Sequence, residues 1–309
     1  MNEVFAILSR PGCEHLAMAL LHSLWQGLVV MIVLWFVLRC VPANRPRVRH
    51  LAAFSALLCM VLGVSVTWAV LDIERPKRPI AHTIPSTAAV IQVPTEEVLG
   101  QVGSGAVTES GPGRPSGARG DDRPAWIPYV ILCWLAGVVV MTGRMAWIVA
   151  RLQRLLRMPE IADGPIRLLV DELRQLLQIG RLVRVVNSYE GFGPAAFGFV
   201  RPIMVLPMSM ISGLPPETVR AILAHELAHV RRNDFVFNLA QMVIESVLYF
   251  NPAVWWINRQ IRMEREACCD ALAVSILGRP LAVAEALSIW ADRVFTRETP
   301  TAAMAWSDH

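Results

Sequence analysis

The chain is short of charge. Only 17% of its 309 residues are charged, against 54% hydrophobic, a balance too apolar for an ordinary soluble protein. Lysine is almost missing: Lys77 is the single instance, and Glu74 stands three residues before it, so an S-x-x-K acylation site is excluded. There is no spaced cysteine framework either. Cys40, Cys59 and Cys133 fall in or beside apolar stretches while Cys268 and Cys269 are adjacent, so reduced thiols are expected. The net charge of +4 carries no separate basic patch, which argues against direct nucleic-acid binding. No internal repeat is visible.

What the chain does have is long uncharged runs, at 16–38, 51–71 and 124–143. About 20 apolar residues, at about 1.5 Å each, cross a hydrocarbon core of about 30 Å, so three transmembrane helices are expected. The first run is too long for the apolar core of a cleavable leader, and a second span follows at once, so it is expected to remain. The short connection carries Arg39, Arg45, Arg47 and Arg49 and no acid, and Arg144, Arg151, Arg154 and Arg157 follow the third run. Short Arg-rich loops stay inside, which predicts an extracytoplasmic N-terminus, a multi-pass protein of the cell membrane in contact with lipid, and a cytoplasmic C-terminal domain.

Between the second and third runs, 73–123 is rich in Pro and Gly and includes GSGAVTESGPGRPSGARG; it is expected to be a disordered extracytoplasmic loop. The expected organisation is therefore 1–72 with two spans, 73–123 as loop, 124–150 as third span and 151–309 as a cytoplasmic domain. The fold class is a mainly α membrane protein whose cytoplasmic part is α+β with a small sheet. That part opens with an amphipathic helix over 166–179, with Leu169, Leu173, Leu176 and Leu177 at helical spacing and Gly180 closing it. Two short β-like pieces follow, at 182–186 and 203–206.

The chemistry is carried by Ala224-His225-Glu226-Leu227-Ala228-His229. Two imidazoles four residues apart on a helix lie on one face and can share one zinc ion. Pro215, Pro216 and Glu217 suit the first turn of that helix, although Leu214 is a poor cap. Val219, Leu223, Leu227 and Val230 form a packing stripe, with His225 and His229 roughly opposite. Glu226 projects beside the histidines, where a carboxylate can take a proton from an attacking water and pass it to the leaving amine.

Two histidines leave zinc short of a third protein ligand. Glu266 is the expected donor, because Asp270 follows at i, i+4 and so supplies an orienting carboxylate on the same face. Glu264 is the rival, and Cys268 and Cys269 are softer candidates read as structural thiols. A helix over 235–250 would run out about 24 Å and the chain after Asn251-Pro252 would return, bringing Glu266 back to His229. Whether that hairpin packs inward or dips into lipid is open, since both demand the same residue types. Asp234 reads first as a helix N-cap, with a role beside the metal compatible. His22, with Ser23 and Gln26, reads as hydrogen-bonding glue between spans. Tyr249 is a candidate oxyanion donor on reach alone.

AILAHELAHVRRND, LYFNPAVWW and EREACCD, together with HSLWQG at 22–27 and AAFGFVRPIMVLP at 195–207, resemble the antirepressor-type membrane metallopeptidases of the BlaR/MecR group, which are gluzincins. The resemblance covers most of the chain outside the loop. It implies zinc held by His225, His229 and Glu266, one ion per chain, with Glu226 catalytic and Asp270 supporting. It also implies that Ala195, Ala196, Phe197 and Gly198 form an edge strand that pairs with an extended substrate. Members of the group carry a C-terminal penicillin-binding sensor after a fourth span. Here the last long segment carries Arg279, Glu285, Asp292 and Arg293, so neither fourth span nor built-in sensor is expected, and a sensor partner chain or a homodimer would supply the signal.

The function expected is regulatory cleavage of a cytoplasmic protein, a transcriptional repressor being the candidate substrate. Membrane-protein quality control and a non-catalytic zinc-stabilised scaffold are the alternatives.

Overall fold

The computed structural model describes residues 11–73, 126–155, 160–161, 164–187, 195–198, 201–207 and 211–303. The loop expected at 73–123 lies outside them apart from its first residue, as does Arg157.

Among the described residues, three helices are long and apolar enough to cross a bilayer: α1 (Pro11–Cys40), α2 (Pro46–Ile73) and α3 (Ile127–Leu155). Large apolar side chains such as Trp25, Phe36, Leu62 and Val139 stand on their outer faces, as lipid-facing surfaces require. Of the expected polar glue, Gln26 bridges two spans, its Nε2 donating to Thr67 Oγ1 on α2 at 2.7 Å, and Ser23 accepts from Asn251 of the later hairpin. His22 stays within α1, its Nδ1 accepting from Trp25 Nε1 at 2.9 Å. Arg49, in the first turn of α2, donates to the carbonyls of Leu38 and Val41 at 2.7 and 3.0 Å. It thereby satisfies acceptors that the end of α1 leaves without helical partners.

After the spans comes α4 (Pro165–Leu176), whose buried line is Val170, Leu173 and then Leu177. Leu176, expected on that stripe, is half exposed: at about 100° per residue it falls on the flank of the buried line. The chain leaves the helix at Gln178, with φ of 54°, ahead of Gly180. Three strands follow, β1 (Arg184–Asn187), β2 (Ala195–Phe197) and β3 (Ile203–Leu206), in the order β1-β3-β2. Central β3 is buried at all four residues. It pairs parallel with β1 (Arg184 opposite Ile203) and antiparallel with β2 (Ala195 opposite Val205), leaving β2 at the edge. At Gly198 φ is 97°, and a Cβ there would stand 2.7 Å from the Arg201 carbonyl oxygen, so the turn after β2 demands glycine.

The helix bearing both histidines is α5 (Pro216–Arg232), begun by proline without a side-chain cap. It ends at Asn233 in the left-handed conformation, φ 58°, and the chain turns straight into α6 (Asp234–Val247). Asn251 then caps α7 (Pro252–Leu277), its Oδ1 accepting from Ala253 N at 3.0 Å. The last helix, α8 (Pro280–Ala303), packs Val283 and Ala286 into the cluster that holds Leu223 and Leu227 of α5 and Met204 and Leu206 of β3.

The hairpin α6–α7 packs against the spans. Val254, Ile257 and Ile261 share a buried cluster with Leu34 of α1 and Leu57 and Met60 of α2. Polar groups tie its apex down: Asn251 Nδ2 donates to Ser23 O at 2.8 Å, Tyr249 OH to Cys133 O at 3.1 Å, and Trp134 Nε1 to Val247 O at 2.9 Å. Its two arms are joined by Gln241 Nε2 to Asn258 Oδ1 at 3.2 Å and Asn258 Nδ2 to Glu245 Oε2 at 3.1 Å.

Candidate metal centre

The αL break at Asn233 and the return of α7 set the geometry. Together they bring the acids of α7 across the histidine face of α5, opposite its packing stripe. His225 Nε2 and His229 Nε2 each lie 3.5 Å from Glu266 Oε2, and the three side chains form a group able to hold a metal ion. Zinc–ligand bonds of about 2.0–2.2 Å put tetrahedral ligands about 3.3–3.5 Å apart, which both histidine–glutamate spacings match.

Each imidazole is backed by a carboxylate on its other nitrogen. Asp270 Oδ1 is 2.9 Å from His225 Nδ1, close but off the hydrogen-bonding line. Asp234 Oδ2 is 2.9 Å from His229 Nδ1. Such outer carboxylates fix the tautomer that leaves Nε2 free to bind. Burial lowers the affinity of both imidazoles for a proton, but the surrounding carboxylates outweigh it. Asp270 and Glu266 hold His225 up at about 10, and Asp234 and Glu266 hold His229 at about 9. The same surplus of negative charge favours a divalent cation in place of those protons.

Glu266 shows the converse. Its burial opposes ionisation, yet hydrogen bonds from the two histidines and the charge of Arg265 keep its carboxyl far below the usual range. Arg265 Nη2 and Nε sit 3.0 and 3.1 Å from Glu266 Oε1, which leaves Oε2 aimed at the imidazoles. Glu264, the rival, faces elsewhere: it is buried against Arg49, with Arg49 Nη2 at 2.7 Å. Glu226 is buried beside the histidines, and that burial raises its carboxyl to about 7 against the pull of His229 and His225. A carboxyl poised there can both accept and return a proton near neutrality.

A second candidate group, His229, Asp234 and Cys269, shares the ring of His229. Cys269 Sγ is 3.3 Å from both His229 Nδ1 and Asp234 Oδ2. Burial and the Asp234 charge push its thiol far up, and Cys269 does not line the cleft that His225, Glu226 and Glu266 face. The expected capping role of Asp234 is corrected here: it makes no side-chain cap. It is buried, and its carboxylate is taken by His229, by Cys269 and by Arg232 at 3.2 Å. Tyr249 is likewise spent on Cys133 O, at the hairpin apex.

The donors face a cleft of about 440 Å³. Ala196 and Phe197 of β2 form one side, whereas Ala195 and Gly198 do not line it. Phe235, Leu239 and Met242 of α6 form another. Sequence reasoning missed the third side, made by Ile148, Val149 and Leu152 from the end of α3. The signal was present as apolar residues continuing past Arg144 at helical spacing. Arg265 was missed as well, although its adjacency to Glu266 is visible.

Residues 18–284 match the family described as BlaR1 peptidase M56. The chain belongs to that family. Among curated proteins, it is 26% identical over 149 residues to "Regulatory protein BlaR1" of Bacillus licheniformis, covering 48% of this chain and 25% of the relative. It is 31% identical over 86 residues to "Methicillin resistance mecR1 protein" of Staphylococcus aureus, covering 28% and 15%. A match of 35% over 68 residues, 20% and 21% of the two chains, links it to "Protease HtpX homolog 2" of Sulfurisphaera tokodaii. The matched parts thus span a quarter or less of each relative's length. Membership in M56 and the three apolar helices make this a membrane protein of a peptidase family.

Proposed function

We propose that the chain is a membrane-anchored zinc endopeptidase of the gluzincin type that cleaves a cytoplasmic protein in regulatory signalling, with a transcriptional repressor as the candidate substrate. The observation that carries this is the convergence of His225 Nε2 and His229 Nε2 on one oxygen of Glu266 at 3.5 Å, with buried Glu226 lining the same cleft.

His225, His229 and Glu266 would hold the zinc, which supplies Lewis acidity that makes water nucleophilic and polarises a carbonyl. Asp270 and Asp234 keep each Nε2 directed at the donor centre, and Arg265 fixes the rotamer of Glu266. Glu226 accepts a proton from the attacking water and returns it to the amide nitrogen as the C–N bond breaks; one water is consumed and a carboxylate and an amine are released. The outer edge of β2, unpaired among the described residues, would align an extended substrate main chain to main chain beside Glu226. The BlaR1 and mecR1 likenesses support the regulatory reading, and positive charge at the inner ends of the spans supports a cytoplasmic site.

The likeness to an HtpX protease favours a second reading, membrane-protein quality control. The test is the purified full chain in detergent with an unstructured protein such as casein. Wild type is expected to cleave it and to stop on chelation, and Glu226→Gln is expected to lose at least about 100-fold while keeping its metal. A Glu226→Gln protein as active as wild type would refute the mechanism. Trapping with that variant separates the readings: one dominant partner favours regulation, many membrane proteins favour quality control.

A further inference from the structure

Around the connection between α1 and α2 stand Arg39, Arg45, Arg47 and Arg49, and the packing occupies only the first and the last. Arg39 lies over the ring of Trp35, 5.2 Å from its centroid. Arg49 is held by Glu264 and by the carbonyls that end α1. Arg45 and Arg47 are exposed, and among the described residues no carboxylate pairs with either. Both instead line a separate cavity of about 380 Å³, between the start of α2 and the later turns of α7. It shares no lining residue with the metal cleft.

The walls of this cavity are of two kinds. Arg45 and Arg47 make a positive rim, to which the N-terminal end of α2 adds the positive end of its dipole. Val48, Ala271 and Leu272 make an apolar side, and buried Cys268 closes it from α7. Among the described residues no acid lines it. Guanidinium forks match the oxygens of a phosphate group, so the complementary occupant joins a phosphate to an apolar part.

Depth narrows the choice further. Residues 41–45 join two helices that are each long enough to cross a bilayer, so the connection lies at a membrane surface. The uncharged run of α2 begins at Leu51; Arg47 and Arg45 precede it by about 6 and 9 Å along the helix. A hydrocarbon core of about 30 Å within a bilayer of about 40–45 Å leaves a polar zone about 5–8 Å deep on each side. The two guanidinium groups therefore stand at the level of lipid phosphates, where basic pockets between helices take anionic headgroups. A preference of arginine for the inner ends of spans accounts for the charge, but not for two of these residues framing one cavity against a helix of the metal domain.

We propose that this cavity binds the headgroup of an anionic phospholipid, its phosphate held between Arg45 and Arg47 and its glycerol backbone against Val48 and Leu272. The lipid bridges the first turn of α2 to α7, the helix that carries Glu266, beyond the ion pair of Arg49 with Glu264.

The test is lipid retention by the full chain in dodecyl maltoside, read by native mass spectrometry with phosphatidylglycerol or phosphatidylcholine added at equal molar ratio. Wild type is expected to retain about one phosphatidylglycerol per chain, at least about tenfold over phosphatidylcholine. Arg45→Gln combined with Arg47→Gln is expected to lower that retention at least about tenfold. Arg39→Gln combined with Arg154→Gln removes as much positive charge beside the spans without touching the cavity, and is expected to stay within about twofold of wild type. Glycerol phosphate at the same concentration, which offers the phosphate without acyl chains, is expected not to displace the lipid. Equal retention of the two lipids overturns the proposal, and that comparison needs no variant to fold. Wild-type retention by the Arg45 and Arg47 variant, or equal loss in both double variants, overturns it too. Full displacement by glycerol phosphate overturns the lipid assignment in favour of a soluble phosphate ester. The readout is binding, so each outcome is independent of peptide hydrolysis.

Discussion

At the residue scale the centre is a set of paired roles. Each imidazole gives one nitrogen to the donor cluster and the other to a carboxylate, so Asp270→Asn and Asp234→Asn are expected to weaken metal affinity by about 10–100-fold without abolishing it, measured by competition with a chelating dye. Glu226 must be ionised to act, and its burial raises it from 4.5 to about 7; a cation beside it pulls it back down. The acid limb of the kcat/KM profile should therefore have an apparent pKa between 4.5 and 7, activity rising with pH through it. A profile flat across that window would contradict the assignment. The sequence left Glu264 and Glu266 as rivals because both are acids on one helix. Only the fold separates them, since the partner that removes Glu264 is Arg49, 215 residues away in the chain. Asp234 was misread for a related reason: an Asp opening a helix is ordinarily a cap, and its proximity to His229 depends on the left-handed turn at Asn233.

At the scale of elements, the spans and the histidine helix were legible because long apolar runs and a 3.6-residue period are local signals. The hairpin was legible in length but not in position, since helices buried in protein and helices facing lipid use the same side chains. Its seating depends on close approach. Gly27 faces Asn251 and Met60, where a Cβ would stand 2.9 Å from both, and Gly137 faces the ring of Tyr249. Gly27→Val and Gly137→Leu are each expected to destabilise by about 1–3 kcal/mol through overpacking, seen as a lower thermal midpoint in detergent; unchanged midpoints would mean that the hairpin does not seat there. Arg49→Ala should cost about 3 kcal/mol by stranding buried Glu264, with a larger loss than Glu264→Gln.

At the scale of the whole molecule, the membrane helices and the metal domain are one packing unit. The cluster around Leu57 and Met60 is completed by Val254, Ile257 and Ile261 of the helix that carries Glu266, and the cleft is completed by α3. A fragment beginning at residue 156 should therefore aggregate or need detergent; a soluble, folded and metal-loaded fragment would show that the spans are only an anchor. This interdependence was invisible in the sequence, where an apolar run read as a span gives no hint that its end also walls the cleft that the donors face.

The central claim is that Glu266 is the third donor to a single ion. Metal content per chain, measured on purified wild type, Glu264→Gln and Glu266→Ala, tests it most directly. The account predicts about one zinc per chain in wild type and in Glu264→Gln, and its loss in Glu266→Ala. Full zinc in Glu266→Ala, with loss in Glu264→Gln, would contradict it.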